Sequence, residues 1–132
     1  MKQAEDNKTI DVFEMPIIGK LHQIEQQIRK NAATIDELER KIIDLRELGT
    51  INASLHYKAG RYLYLIHPTD ESGDRVRQYV GAQPEKIREA QESINRYHET
   101  QELKRILDMH KSKMLQTNYD LNNINRELKQ NW

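Results

Sequence analysis

Gly60-Arg61-Tyr62-Leu63-Tyr64-Leu65-Ile66 and, one polar loop later, Gly73-Asp74-Arg75-Val76-Arg77-Gln78-Tyr79-Val80-Gly81 read as the two strands of a β-hairpin set between two long runs of helical heptads. Side chains alternating with a period of two between glycines favour a pleated strand over a helix. Tyr62, Tyr64 and Ile66 fall on one face of the first strand, with Arg61, Leu63, Leu65 and His67 on the other. The returning strand divides in the same way, with Val76, Gln78 and Val80 on one face and Arg75, Arg77 and Tyr79 on the other. Between them, His67-Pro68-Thr69-Asp70-Glu71-Ser72-Gly73 is rich in turn formers. Upstream, Ile51, Ala53, Leu55 and Tyr57 alternate with Asn52, Ser54 and His56, and Lys58-Ala59-Gly60 can turn the chain. A small two- or three-stranded antiparallel sheet over residues 50–82 is the expectation.

The flanks follow a different period. Ile17, Leu21, Ile24, Ile28, Asn31, Ile35, Leu38, Ile42 and Leu45 recur four and three residues apart, the spacing that keeps one stripe facing a partner helix. Met15-Pro16 places a proline where a first helical turn tolerates it, and Gly49 supplies a left-handed stop after Leu48. Helix one is therefore read over 15–49, about 50 Å of helix, behind a polar, mobile tail at 1–14. A second helix opens at Pro84 with Glu85 in its first turn and continues to about Lys129, within a segment 83–132. Its later seam is Leu107, His110, Met114, Thr117, Leu121, Ile124 and Leu128, whereas Ile87, Ala90, Ile94 and Tyr97 form an earlier stripe out of phase with it. The fold class expected is mainly α: an antiparallel two-helix coiled coil with the sheet inserted between the helices. Pairing Ile17 with Leu128 brings Leu48 opposite Tyr97, so the earlier stripe outruns helix one and must bury itself against the sheet. The same pairing sets Asn31 opposite Met114, His110 opposite Ile35 and Thr117 opposite Ile28, so the polar layers are spread around one level and do not pair one to one. Such residues set register and oligomeric state at some cost in stability.

Composition narrows the function classes. With 132 residues, 36% hydrophobic and 32% charged, the chain favours a narrow apolar seam over a broad core. Twenty-one basic residues balance twenty-one acidic ones, so no global field draws the chain to nucleic acid or to an anionic membrane, and any such contact is local. The absence of cysteine excludes disulfides and thiolate zinc sites. The first residues lack the apolar segment of a signal peptide and no run of apolar residues is long enough to span a bilayer, which reads as a soluble, cytoplasmic protein without a membrane role.

The catalytic motifs are missing: no glycine-rich phosphate loop, no nucleophile elbow and no acid–base pair of carboxylates, since Glu85 and Glu89 form a solvated helix face. His22, His56, His67, His98 and His110 have no metal-motif spacing, and His56 could meet His67 only through strand pairing. An enzyme, a cofactor, a metal and a small-molecule substrate are accordingly not expected. The binding candidates are Lys58, Arg61, Tyr62, Tyr64, Arg75, Arg77 and Tyr79, because cations interleaved with aromatics suit phosphate contact and stacking on unpaired bases, and a two-stranded ribbon fits a major groove. The plainer reading makes the tyrosines and valines the sheet's core and the arginines its solvated face. Residues 56–81 hold only one more cation than anion, which is weak for phosphate neutralisation. Trp132, outside the seam, is a candidate contact for a partner or a second copy.

Ile51-Asn52-Ala53-Ser54-Leu55, Gly60-x-Tyr62-x-Tyr64-Leu65, Arg75-x-Arg77-x-Tyr79-Val80, Pro84-Glu85-Lys86-Ile87 and Asn95-Arg96-Tyr97 together resemble a family of short, uncharacterised helix/β-hairpin/helix proteins associated with phages and mobile elements. The resemblance spans roughly residues 50–105 and implies a setting more than a reaction. The Gly-rich, Cys-containing segment that many members carry before the Tyr-x-Tyr strand is absent here, so no metal chemistry carries over. The layout is also similar to that of prefoldin subunits, although Lys129, Gln130 and Asn131 stand where apolar client-gripping residues are expected. The reading that follows is a non-enzymatic coiled-coil binding protein of a phage or mobile element. It is expected to be a homo-oligomer such as a dimer, with its hairpin contacting nucleic acid or a nucleic-acid-processing complex. The alternatives are a structural or prefoldin-like oligomer and a protein inhibitor of a host defence complex.

Overall fold

The computed structural model describes the backbone of residues 2–130 and the side chains of residues 15–130. Five elements follow in order: helix α1 (Lys2–Leu48), strands β1 (Ser54–Lys58), β2 (Tyr62–Thr69) and β3 (Arg75–Gly81), and helix α2 (Pro84–Lys129). The protein is thus mainly α, with one three-stranded antiparallel sheet, ordered β1-β2-β3, between the helices in the chain. Three of the four helix ends lie where the sequence reading puts them. Gly49 has φ 104° and its N–H bonds to the Arg46 carbonyl, closing α1, while Pro84 opens α2 and Lys129 ends it.

The start of α1 differs from the sequence reading. The helix begins at Lys2, so Pro16 lies inside it and does not occupy a first turn. An interior proline lacks the donor for one i→i−4 bond, yet Lys, Gln, Ala and Glu upstream are strong helix formers and need no apolar period to be helical. The tail read at 1–14 involves side chains outside the described residues, as does Trp132.

Two compact units separate within the chain, Met1–Glu37 with Met109–Trp132 in one and Leu38–Asp108 in the other. In the second unit the core is Leu63, Leu65, Ala90 and Ile94, with Ile51, Ala53, Val80 and Ile87 packed against it. The sheet therefore lies on the first turns of α2, and the out-of-phase stripe of Ile87, Ala90 and Ile94 is what it covers. The phase change has a clear trace in burial, since Thr100 is buried and Gln101 exposed, the choice that distinguishes the later seam from the earlier stripe. Leu38, Ile42 and Leu107 are buried as well. Arg96 ties the end of α1 to α2: its Nε donates to the Gly49 carbonyl at 2.6 Å and its Nη2 to Ser93 Oγ at 3.0 Å. The Ile51 N–H continues the link by donating to the Ser93 carbonyl.

In the first unit Asn31 and His110 join the two helices. Asn31 Nδ2 donates to the His110 carbonyl at 3.2 Å, and Asn31 Oδ1 meets His110 Nδ1 in a short hydrogen bond. This corrects the heptad reading, in which the polar residues do not pair one to one: Asn31, set there opposite Met114, bonds instead to His110, one turn earlier in α2, so each of these two polar side chains has a partner.

Candidate functional site

The register of the sheet decides which of the candidate side chains can act together. β2 pairs with β3 through Tyr64↔Tyr79, Leu65↔Gln78 and Ile66↔Arg77, and with β1 through His56↔Tyr64 and Lys58↔Tyr62. Directly paired residues share a face. One face accordingly carries Lys58, Tyr62, Tyr64, Tyr79 and Arg77, together with His56 and Ile66. The opposite face carries Leu63 and Leu65, which are 0% and 1% exposed and packed on α2, and Tyr57, whose hydroxyl accepts from Gln91 Nε2 of α2 at 2.9 Å. The tyrosines of β2 and β3 are therefore not the core of the sheet. Leucine can be buried without leaving a polar group to satisfy, whereas each tyrosine hydroxyl would need a partner.

Two irregularities in the ladder serve this division. Between Leu63/Gly81 and Tyr64/Tyr79 the register shifts at Val80, a bulge that keeps Val80 packed on the core while Tyr79 turns outward. A second shift between Ile66 and Thr69 accommodates Pro68, which has no N–H for the ladder. Past that shift Arg75 pairs with Thr69, and its Nε donates to Thr69 Oγ1 at 3.3 Å. Arg75, Arg77 and Tyr79 alternate on β3 and so stay on the outward face.

The outward face has an aromatic centre and a cationic border. The Tyr64 and Tyr79 rings lie 5.1 Å apart with planes at 57°. Tyr79 also leans along its own strand over the bare Cα of Gly81, where an added Cβ would stand 3.5 Å from its hydroxyl. Tyr79 remains 59% exposed. The Arg61 guanidinium sits over the Tyr62 ring, 5.3 Å from its centroid, a cation–π contact that leaves the outer N–H groups open. Lys58, Arg61, Arg75 and Arg77 are all exposed.

The local near-neutrality of this segment conceals a separation of charge. None of the three strands contains Asp or Glu. The acidic residues Asp70, Glu71 and Asp74 all lie in the β2–β3 loop, and Asp70 is occupied in building it. Its Oδ1 accepts from the Ser72 hydroxyl at 2.6 Å and from the N–H groups of Ser72 and Asp74, each at 3.0 Å. The Ser72 hydroxyl and the Asp74 N–H hold its carboxyl below the usual carboxylate range. Four cations thus stand on strands and turn with no anion interleaved.

The histidines do not converge: His56 pairs with Tyr64, His67 Nε2 lies 2.9 Å from Gln78 Oε1, and His110 is held by Asn31. Among the described residues no group of three or more His, Cys, Asp or Glu side chains could hold a metal, and no helix is long and apolar enough to cross a membrane. Sequence reasoning missed two contributors to the second unit. His56 joins the outward face only through the β1 register, and Arg96 looks like any surface cation until its acceptors on α1 are seen. Comparison with protein-family models, with curated proteins and with solved structures finds no match to this chain.

Proposed function

We propose that the protein is a non-enzymatic binding protein whose outward sheet face contacts nucleic acid, in the phage or mobile-element setting that the Gly-x-Tyr-x-Tyr resemblance implies. One observation carries the reading: Lys58, Arg61, Arg75 and Arg77 border Tyr62, Tyr64 and Tyr79 while every carboxylate of the segment is set apart in one loop. An evenly mixed face would repel and attract a polyanion in equal measure; this one attracts it. Replacing Arg75 and Arg77 together by Glu reverses the border and is expected to abolish partner binding without lowering the melting temperature, because both side chains are solvated and Arg75 makes only one neutral hydrogen bond. A pull-down from cell extract with and without nuclease, followed by thermal melting of the double variant, checks this. Undiminished binding by the variant, or a captured partner indifferent to nuclease, would overturn the reading.

The helices complete the proposal as antiparallel coiled-coil pairs that self-associate. Leu38, Ile42 and Leu107 are buried in the second unit, and the Asn31–His110 bond joins the helices in the first. In that first unit, however, seam residues stay open, with Ile17 58% and Leu128 82% exposed. A groove of about 960 Å³ runs between Ile24, Ile28, Met114 and Leu121. A second copy carrying the same stripe is the occupant that the heptad spacing fits, in a cytoplasmic homo-oligomer.

A further inference from the structure

We infer that the nucleic acid taken by the outward face is single-stranded, with unpaired bases stacking on Tyr62, Tyr64 and Tyr79 and the phosphates running along the cationic border; this rests on the nucleic-acid reading above. Three properties of the sheet lead there.

The first is its width. A two-stranded ribbon can enter a major groove about 12 Å across. This element is not such a ribbon, because β1 extends it to three strands and α2 covers its back. Two strand spacings of about 4.8 Å, a sheet-to-helix layer behind and a helix diameter of about 10 Å make a body too thick to be inserted. An undeformed duplex would meet the face mainly through its phosphates, leaving the tyrosines little used.

The second is the spacing of the rings. Tyr62 and Tyr64 are two residues apart on one strand, about 6.8 Å along it, twice the rise of about 3.4 Å between stacked bases. Bases meeting both rings must be splayed apart, which an unpaired strand allows and a duplex resists. The Tyr64 and Tyr79 rings pack 5.1 Å apart with planes at 57°, Tyr64 half-buried and Tyr79 exposed, so Tyr79 presents the more open ring of the pair.

The third is the position of the cations. Arg61 lies over the Tyr62 ring and, by swinging off it onto a phosphate, would free that ring for a base, while Arg77 is on the strand that carries Tyr79, so a phosphate-binding group stands close to each of these two rings. Base–aromatic stacking beside cations is the chemistry of sequence-tolerant single-strand binding.

The test measures fluorescence anisotropy of the full chain with labelled oligodeoxythymidine, oligouridine and a blunt duplex, each of about a dozen nucleotides, within the usual site sizes. The single strands are expected to bind at least about tenfold more tightly than the duplex and to quench tyrosine fluorescence; binding of either sugar type supports the inference, and their ratio tells DNA from RNA. Tyr62→Leu and Tyr79→Leu should each weaken single-strand binding about tenfold. Tyr62→Phe and Tyr79→Phe keep the ring and should bind like the parent, with circular dichroism reporting that all four variants fold. Arg77→Gln should flatten the salt dependence by about 0.7 in log–log slope, whatever the base sequence. Duplex binding equal to or tighter than single-strand binding, or full affinity in the Leu variants, overturns the single-strand inference and leaves the nucleic-acid contact standing. Binding of none of the three probes overturns both, and a protein retained after nuclease treatment would then be the partner.

Discussion

Ala59 holds φ at 55° beside Gly60 at 71°, so the β1–β2 turn puts a side chain in the left-handed region, the one non-glycine residue to do so among those described. Two adjacent residues of this kind match the twist of a tight hairpin, but alanine fits the conformation poorly and asparagine well. Ala59→Asn should therefore stabilise the protein by roughly 0.5–1 kcal/mol, part of the cost of the left-handed region, which is larger for alanine than for asparagine. A rise in melting temperature without a change in circular dichroism checks it; a fall would mean that the Ala59 methyl makes a contact worth more than its strain. Residue-level chemistry also explains what alternation left undecided. Period two separates Tyr62 and Tyr64 from Leu63 and Leu65 but says nothing about which pair faces α2. Strand parity groups Tyr62 with Tyr64, and Arg75 with Arg77 and Tyr79, but sets Arg61 with the leucines, and the cross-strand register supplied what parity lacks, that Tyr64 and Tyr79 are neighbours.

At the scale of elements, the β2–β3 loop is organised by one carboxylate. Asp70 lies in a closed ring of acceptors and donors: its N–H donates to the Asp74 carbonyl at 2.9 Å, and its own carbonyl accepts from Gly73. The ionised form is the one favoured by the Ser72 hydroxyl and the Asp74 N–H, so its acidity is increased in the fold. The sign follows directly. A carboxyl whose folded value is depressed contributes order above its unfolded value and loses it as pH falls through the folded one. Amide exchange at Ser72 and Asp74 should thus stay slow through the range where free carboxylates titrate and quicken only below it. Quickening at the ordinary carboxylate range would show that Asp70 does not hold the loop. Asp70→Ala should release both amides at every pH. The elements themselves were largely legible, since Gly49, Pro84 and the glycines around the strands are local punctuation. The start of α1 at Lys2 was not, because helix propensity without an apolar stripe leaves no period to read.

For the molecule as a whole, the two units treat the same heptad pattern differently. Leu38, Ile42 and Leu107 are buried in one, while Ile17, Leu21, Ile24, Ile124 and Leu128 remain open in the other. Sedimentation of the full chain is expected to give a species larger than a monomer, and Ile24→Asp should disperse it while leaving the sheet's circular dichroism intact. If a proline within Tyr62–Ile66 dissolves the particle and Ile24→Asp does not, the subunits are instead joined through strand edges such as β1, which is exposed along its length. The heptad spacing did not show that Asn31 would bond to His110, since spacing ranks positions and hydrogen bonding ranks partners. The two-sided sheet carries a consequence of another kind. Leu63 and Leu65 hold the fold from one side while the exposed Tyr62, Arg77 and Tyr79 stand on the other, so those outward positions can change with far less effect on folding than the leucines. A lineage could alter the chemistry of this surface step by step without passing through an unfolded ancestor, and a randomised library confined to those positions would keep most of its members folded.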